Sequence, residues 1–288
     1  DDLHALNPAL VYGRITGYGQ DGPKAQRAGH DLGYIASTGL LNQLARPEGP
    51  PQFPANLIDD FGGGDMLLVV GVVGVLTSAR TTGIDTVVDT AMIDGANHLY
   101  SMMHGFSAMG MWRHDARGRN LLDSGTPFYD VYPTADDRYV SVACIEPAVF
   151  ADFLGTLGIE DQLPEPLSEI DHWQPRHWSI MRRVFAEALA SRTLAELEEL
   201  FTGHDACVEP VRTMAEAKTD PHNLHRGLFC TDEAGIDQPT PAPRFGQATA
   251  PTSADGAPTS AGTDSADQPR RAPAIGSDTD AVIAELGL

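Results

Sequence analysis

Apolar positions in the first part of the chain repeat at two spacings, one typical of strands and the other of helices. Residues 10–16 combine β-branched and aromatic side chains, as strands do, and residues 86–90 have the composition of a buried strand. Helical spacing of apolar residues predicts helices over 31–44, with a break at Gly39, from 66 to about 80, and over 91–110. This part of the chain is therefore predicted to mix helices with strands.

The pattern changes after Gly118, where short strands are followed by longer helices. The predicted strands cover residues 128–132 and 139–143, and the predicted helices cover 147–157, 179–191 and 194–201. Residues 210–243 are expected to be irregular, and residues 250–273 have the small, polar and proline-rich composition of a linker. A short helix is predicted at 278–286. The whole pattern predicts an α/β protein with a second, smaller α/β domain.

The longest apolar stretch, residues 66–76, is about 11 residues long, whereas crossing a bilayer takes roughly 20. We therefore expect a buried helix here and no membrane partner. The chain opens with Asp1, Asp2, Leu3 and His4 rather than a basic and then an apolar segment, so no secretory signal is expected.

Charge excludes one class of partner. The 288 residues include 19 Lys and Arg against 40 Asp and Glu, a formal net charge of −21. General nucleic-acid binding needs a concentrated positive surface, so nucleic acid is not an expected partner. The three cysteines, Cys144, Cys207 and Cys230, are far apart and lack metal-ligand spacing. We expect no disulfide framework, no metal site and a cytoplasmic location.

One imidazole lies where a glycine-containing loop meets a predicted helix. His30 follows Gly29 and precedes Asp31. A histidine at such a junction is more often a capping or solvated residue than a catalyst, and a carboxylate such as Asp31 suits the positive end of the helix dipole. Proton transfer by His30 is the chemical alternative.

Two carboxylates also lie at predicted helix starts. Asp60 precedes three glycines, residues 62–64, and Glu146 precedes Pro147, so both could be helix caps. The glycines could instead let backbone amides approach a substrate and face a developing negative charge. One imidazole with one or two carboxylates, without a metal or nucleophile motif, suits proton transfer at a carbon next to a carbonyl.

Longer motifs follow one another along almost the whole chain. They are RITGYGQDGP (14–23), GHDLGY (29–34), NLIDDFGGG (56–64), VVDTAMIDG (87–95), RGRNLLDSGTPFYDVY (117–132), DRYVSVACIEP (137–147), DACVEPV (205–211) and PAPRF (241–245). In this order they resemble the class III CoA-transferase family and, within it, the α-methylacyl-CoA racemase branch.

This resemblance implies roles for particular residues. The histidine of GHD and the aspartate before FGGG are the proton-transfer pair of the racemase branch, which implies His30 and Asp60, and Glu146 resembles the residue that pairs with the histidine. Contacts with the acyl-CoA are expected at Gly29, Asp31, Tyr34, Gly62 and Gly63. The transferase branch commonly replaces the histidine and uses the aspartate as a nucleophile.

The expected function is therefore racemisation at the α-carbon of 2-methylacyl-CoA thioesters through an enolate, with no cofactor because CoA is part of the substrate. The alternatives are a CoA-transferase with Asp60 as nucleophile and a catalytically impaired homologue. CoA is a polyanion, so positive charge near the motifs, at Arg14, Lys24, Arg27 and Arg46, is expected to help bind it. Relatives form interlocked dimers, and the same homodimer is expected here.

The resemblance also implies a class III CoA-transferase fold, with a partial Rossmann-like large domain and a smaller α/β domain. Asp1 is expected to be an internal start, because family members begin with a Rossmann-like half that this chain lacks. The predicted divisions are 1–115 as the remainder of the large domain, 116–225 as the small domain, 226–250 as a return segment, 251–271 as a flexible linker and 272–288 as a C-terminal helix.

Overall fold

The computed structural model describes residues 2–84, 86–166, 169–232, 234–244 and 276–286. Within these, the strands are β1 (Val11–Thr16), β2 (Thr86–Ala91), β3 (Asp130–Pro133), β4 (Tyr139–Val142), β5 (Val208–Pro210), β6 (Phe229–Thr231) and β7 (Asp237–Pro239). The α-helices are α1 (Asp2–Leu6), α2 (Asp31–Ser37), α3 (Met66–Thr82), α4 (Met92–Leu99), α5 (Ser101–Ala108), α6 (Pro147–Leu157), α7 (Pro175–Ala190), α8 (Leu194–Phe201), α9 (Met214–Thr219), α10 (Pro221–Arg226) and α11 (Thr279–Leu286). A π-helical segment, Leu57–Asp65, leads directly into α3. The predicted α/β class is confirmed.

The chain divides into two compact units, Asp1–Val211 and Arg212–Leu288. The predicted domain boundaries stay predictions, and the expected linker at 251–271 lies outside the described residues. The expected C-terminal helix is present as α11.

In the first unit, β1 and β2 form a parallel pair, with Val11 opposite Thr86 and Thr16 opposite Ala91. Glycines let α3 approach this pair closely. An added Cβ at Gly13 in β1 would lie 3.1 Å from Leu68 Cδ1, and one at Gly71 in α3 would lie 2.6 Å from Val88 Cγ1. The pair of strands therefore supports one face of α3.

The expectation that the apolar helix is buried is wrong. The π-helical segment and α3 form a continuous helix of 26 residues, Leu57–Thr82, with a mean hydropathy of 1.7 in its most apolar window, of which 11% is buried. Val69, Val70 and Val73 are 55–61% exposed. Two strands are too narrow to cover both sides of this helix. It is long and apolar enough to cross a membrane by length and composition alone, which is weak evidence because core helices pass the same test. The absence of a membrane partner stays a prediction.

Farther along the first unit, β3, β4 and β5 form an antiparallel sheet in that order. Its core is built around four fully buried phenylalanines: Phe128, Phe150, Phe153 and Phe185. The rings of Phe153 and Phe185 meet edge to face with centroids 5.0 Å apart, a favourable aromatic geometry. The helices α6 and α8 have the predicted bounds, whereas α7 begins four residues before the predicted start.

Two predicted helices are interrupted. The first ends at Ser37, and Gly39, with φ +82°, separates it from a short 3₁₀ turn at Leu41–Gln43. The helix predicted over 91–110 is two helices, α4 and α5, because Tyr100 leaves the helical conformation with ψ near 6°. The break at Gly39 was predicted, and the break at Tyr100 was not.

The prediction that residues 210–243 are irregular is wrong. This part of the second unit contains α9, α10 and the antiparallel pair of β6 and β7. Short local signals account for the helices: Thr213 and Glu216 form a reciprocal capping box, and Asp220 caps a helix that opens with Pro221. Helices of six residues show too little apolar periodicity to be recognised from the hydrophobic pattern.

Candidate functional site

His30 occupies the position just before α2. Its backbone is extended, with φ −140° and ψ 168°, and its side chain makes no capping hydrogen bond. Its carbonyl oxygen accepts hydrogen bonds from the N–H groups of Gly33 and Tyr34, at 2.8 and 3.2 Å. The side chain itself is exposed. The imidazole is therefore accessible to a substrate, and helix capping by the side chain does not account for a histidine at this position.

Asp60 lies inside the π-helical segment, whose capping position is Asn56. The interpretation of Asp60 as a helix cap is therefore wrong. Its carboxylate is half-buried, and Oδ2 accepts a hydrogen bond from Asn56 Nδ2 at 2.9 Å. One oxygen is thus oriented by an amide while the side chain keeps access to solvent.

Asp31 links the two candidate residues. Its side chain is buried, with 2% exposure, and its Oδ2 accepts hydrogen bonds from the backbone N–H groups of Asp59 at 2.6 Å and Asp60 at 3.2 Å. Because Asp31 follows His30 directly, this carboxylate ties the start of α2 to the segment that carries Asp60. The structure therefore brings the two predicted residues into one region, through a contact between positions 28 and 29 residues apart.

The glycines after Asp60 serve close packing. An added Cβ at Gly63 would lie 2.7 Å from the backbone N of Ala96, and one at Gly64 would lie 2.9 Å from Ile15 Cδ1. An added Cβ at Gly62 would meet Leu99 Cδ1 at 3.0 Å. The expectation that these glycines lie at a helix start is wrong, because the helix begins at Leu57. Contact of Gly62 and Gly63 with a substrate stays a prediction.

Tyr34 explains a further glycine of the motif. An added Cβ at Gly29 would lie 2.5 Å from Tyr34 Cε1, and the ring also packs edge to face on Tyr18 with centroids 4.9 Å apart. Burial raises the pKa of Tyr34, and the Tyr18 hydroxyl adds to this effect. The carboxylates of Asp60 and Asp59 act in the same direction, so this phenol belongs to the same electrostatic cluster.

Asp59 is the residue that sequence reasoning missed. Its side chain is completely buried, and neither carboxylate oxygen has a hydrogen-bond partner. Burial raises the pKa of Asp59 to about 7, and the carboxylates of Asp31 and Asp60 also raise it while the nearby Ala96 backbone N–H lowers it. A carboxyl that titrates near neutrality lies directly beside the predicted catalytic aspartate.

Glu146 occupies the capping position of α6, yet its exposed side chain makes no capping hydrogen bond. Burial raises the pKa of the Cys207 and Cys144 thiols, and the charge of Glu146 adds a smaller effect in the same direction. Within the described residues, no hydrogen bond or ion pair joins Glu146 to His30 or Asp60. Pairing of Glu146 with the histidine stays a prediction.

Two of the four basic residues expected to help bind CoA already have carboxylate partners. Arg14 pairs with Asp89 at 3.4 Å, and Arg46 donates to the buried carboxylate of Asp130 at 2.8 Å. Lys24 Nζ lies 5.2 Å from the centroid of the Tyr18 ring, within the range of a cation–π interaction. Lys24 therefore lies beside Tyr18, whose ring packs on Tyr34.

The profile of CoA-transferase family III matches residues 1–279. A mouse protein named alpha-methylacyl-CoA racemase is 37% identical over 282 residues, which cover 98% of this chain and 68% of that protein. The human protein of the same name is 38% identical over 242 residues, which cover 84% of this chain and 62% of that protein. The chain thus spans less than two thirds of the length of its human relative.

A solved structure with a similar fold is that of a CAIB/BAIF family protein from Brucella suis. It superimposes with a TM-score of 0.74 over 99% of this chain and 70% of its own, at 23% sequence identity. The likeness confirms the expected class III fold.

Proposed function

Because the chain belongs to CoA-transferase family III, we propose that it is a racemase that inverts the α-carbon of 2-methylacyl-CoA thioesters. The observation that carries the proposal is the buried carboxylate of Asp31, which follows His30 directly and accepts a hydrogen bond from the backbone N–H of Asp60. An imidazole and a carboxylate held in one region are the two groups that two-base proton transfer needs. The names of the mouse and human relatives support the same reaction.

In the proposed reaction, one member of the pair starts deprotonated and removes the proton from the α-carbon. The electron pair of the broken C–H bond passes into an enolate, whose oxygen carries the negative charge. The other member starts protonated and delivers a proton to the opposite face, forming the new C–H bond. His30 and Asp60 thereby exchange protonation states, and the reverse reaction begins from the exchanged pair.

A thioester α-proton is weakly acidic, so the enolate oxygen needs hydrogen-bond donors. Backbone amides near Asp31 are the candidates. The buried packing of Tyr34 over Gly29 holds the loop before α2 close to its helix, which supports a fixed position for these amides.

The experiment follows solvent deuterium incorporation at the α-carbon of 2-methylacyl-CoA. We expect His30→Ala and Asp60→Asn each to reduce incorporation by at least about 100-fold. The matched control is Asp65→Asn, which removes an exposed carboxylate from the same helical segment and should leave incorporation unchanged. Near-normal incorporation by either variant of the pair would remove that residue from the mechanism.

The half-buried carboxylate of Asp60 also fits the second candidate, a CoA-transferase in which this group attacks the thioester. The same assay separates the two. A racemase exchanges the α-hydrogen without a second acyl acceptor, whereas a transferase requires an acceptor acid before it turns over. Thioester binding without either reaction would favour the impaired homologue. The homodimer and the cytoplasmic location remain part of this proposal.

A further inference from the structure

Three carboxyl groups converge where α2 meets the π-helical segment. Asp31 and Asp59 are buried, with 2% and 0% exposure, and Asp60 is half-buried. Three negative charges in such a space would repel one another strongly, because burial removes the water that would screen them. At least one of the two buried groups is therefore expected to hold a proton.

Hydrogen bonding decides which group keeps the charge. Asp31 Oδ2 accepts two backbone N–H groups, and this stabilises an ionised carboxylate. Neither oxygen of Asp59 has a well-formed hydrogen bond. The Ala96 backbone N–H acts on this carboxyl and lowers its pKa, but burial and the Asp31 carboxylate each raise the pKa by more, so Asp59 is cheaper to keep neutral than charged. Asp31 Oδ1 is also buried without a hydrogen-bond partner. The cluster therefore contains an unused acceptor, Asp31 Oδ1, as well as a carboxyl group, Asp59, whose proton would need an acceptor.

We propose that Asp59 is a positioning residue that holds a buried proton beside Asp60 and, by releasing it, raises the proton affinity of Asp60. The role rests on the proposed function, since Asp60 must alternate between acid and base. When Asp59 ionises, the new negative charge favours the protonated form of its neighbour. The charge state of Asp59 therefore sets how readily Asp60 acts as the proton donor.

Other groups facing Asp59 do not replace it in this role. From α2, the titratable groups are Asp31 and Tyr34, and the raised pKa of Tyr34 keeps that phenol neutral near pH 7. From α4, the Ala96 backbone N–H faces Asp59, whereas the titratable side chains of that helix, Asp94 and His98, are exposed. Burial raises the pKa of Asp59 to about 7, so a change of charge on this carboxyl falls close to neutral pH.

The close packing around Asp59 keeps it inaccessible. An added Cβ at Gly63 would lie 3.1 Å from Asp59 Oδ1 and 2.7 Å from the backbone N of Ala96. These distances leave little room above the carboxyl for water to solvate an ionised form. The run of glycines is thus part of what holds the proton on Asp59.

The test uses the full chain with ¹³C-labelled aspartate and follows carboxyl chemical shifts by NMR from pH 4 to 9. We expect Asp59 to titrate with a midpoint near 7 and Asp60 to show a second inflection at the same pH. Asp59→Asn, a neutral isostere, should abolish that inflection, and Asp65→Asn should preserve it. Titration of Asp59 below pH 5, or an Asp60 curve without the second inflection in the unmodified chain, would overturn the proposal.

Deuterium incorporation supplies the functional arm. We expect Asp59→Asn to shift the midpoint of the pH–rate profile by at least about 0.5 pH unit relative to the Asp65→Asn control, an effect that a purely structural role would not produce. An unchanged profile would overturn the positioning role. If no variant and no parent protein exchanges the α-hydrogen, the proposed racemase function fails, whereas the NMR curves still decide whether Asp59 and Asp60 are coupled.

Discussion

Gly95→Ala tests whether close packing between α4 and the π-helical segment holds the site together. An added Cβ at Gly95 would lie 2.0 Å from the carbonyl oxygen of Gly63, whereas real Cβ contacts are essentially never below 3.0 Å. The two backbones must therefore separate by about 1 Å. Neither backbone can rotate away as a side chain would, so we expect a destabilisation at the upper end of the range for overpacked substitutions, about 3 kcal/mol.

Helix propensity works in the opposite direction. Alanine is favoured over glycine in a helix interior by about 1 kcal/mol, which leaves Gly95→Ala a net loss of about 2 kcal/mol in the free energy of unfolding. The matched control is Gly105→Ala in α5, where an added Cβ meets nothing within 4 Å. That variant should gain stability by about 0.5–1 kcal/mol.

Urea denaturation followed by circular dichroism measures both changes. Deuterium incorporation, measured where each variant is folded, should fall with Gly95→Ala, since a displacement of 1 Å at reacting groups can cost about 100-fold. It should be unchanged in Gly105→Ala. Equal stability of Gly95→Ala and the parent chain would refute the inference that this contact is tight.

Four further outcomes concern charges and caps. Asp59→Asn should stabilise the protein at pH 8 by roughly 2–4 kcal/mol. Because the pKa of Asp59 is raised in the folded protein, the parent protein loses stability as pH rises from about 4 to 7. Urea denaturation at several pH values should show this loss in the parent and not in the variant. Asp130→Asn removes a buried carboxylate that binds two arginines, so urea denaturation should show a loss of about 2–3 kcal/mol. Thr193→Ala breaks a reciprocal capping box and should lower the free energy of unfolding by about 1 kcal/mol. Glu146 occupies a capping position without a capping hydrogen bond, so Glu146→Gln should change the free energy of unfolding, measured by thermal denaturation, by less than about 0.5 kcal/mol.

The elements predicted most accurately are those with their own start and stop signals. The helix α6 opens with Pro147 at its first position and ends before Gly158 in the left-handed conformation. The helix α8 begins at the capping box of Thr193 and Glu196. Such signals act between residues a few positions apart, so a single sequence contains them in full. Exposure of α3 could not be predicted in this way, since it depends on how many strands lie against the helix.

In the candidate site, too, features encoded by neighbouring residues were predicted and those that depend on distant contacts were not. His30 and Asp60 were predicted from the resemblance of their short motifs, GHDLGY and NLIDDFGGG, to those of the family, and their roles stay predictions. The bridge through Asp31 was not predicted, because its carboxylate reaches residues 28 and 29 positions away. Asp59 was overlooked for a related reason: in the sequence it is one of two adjacent aspartates, and only its complete burial distinguishes it from Asp60.

The glycine run shows why local propensity misled. Three consecutive glycines are costly to order and were expected at a helix start, yet here they lie inside a helix. Gly63 and Gly64 make contacts that a Cβ would prevent, so packing against α4 and β1 outweighs the propensity cost. The same packing seals the carboxyl of Asp59 away from water. Close approach of backbones, rather than flexibility, is therefore what these glycines contribute, and this packing helps bury the Asp59 carboxyl, which raises its pKa.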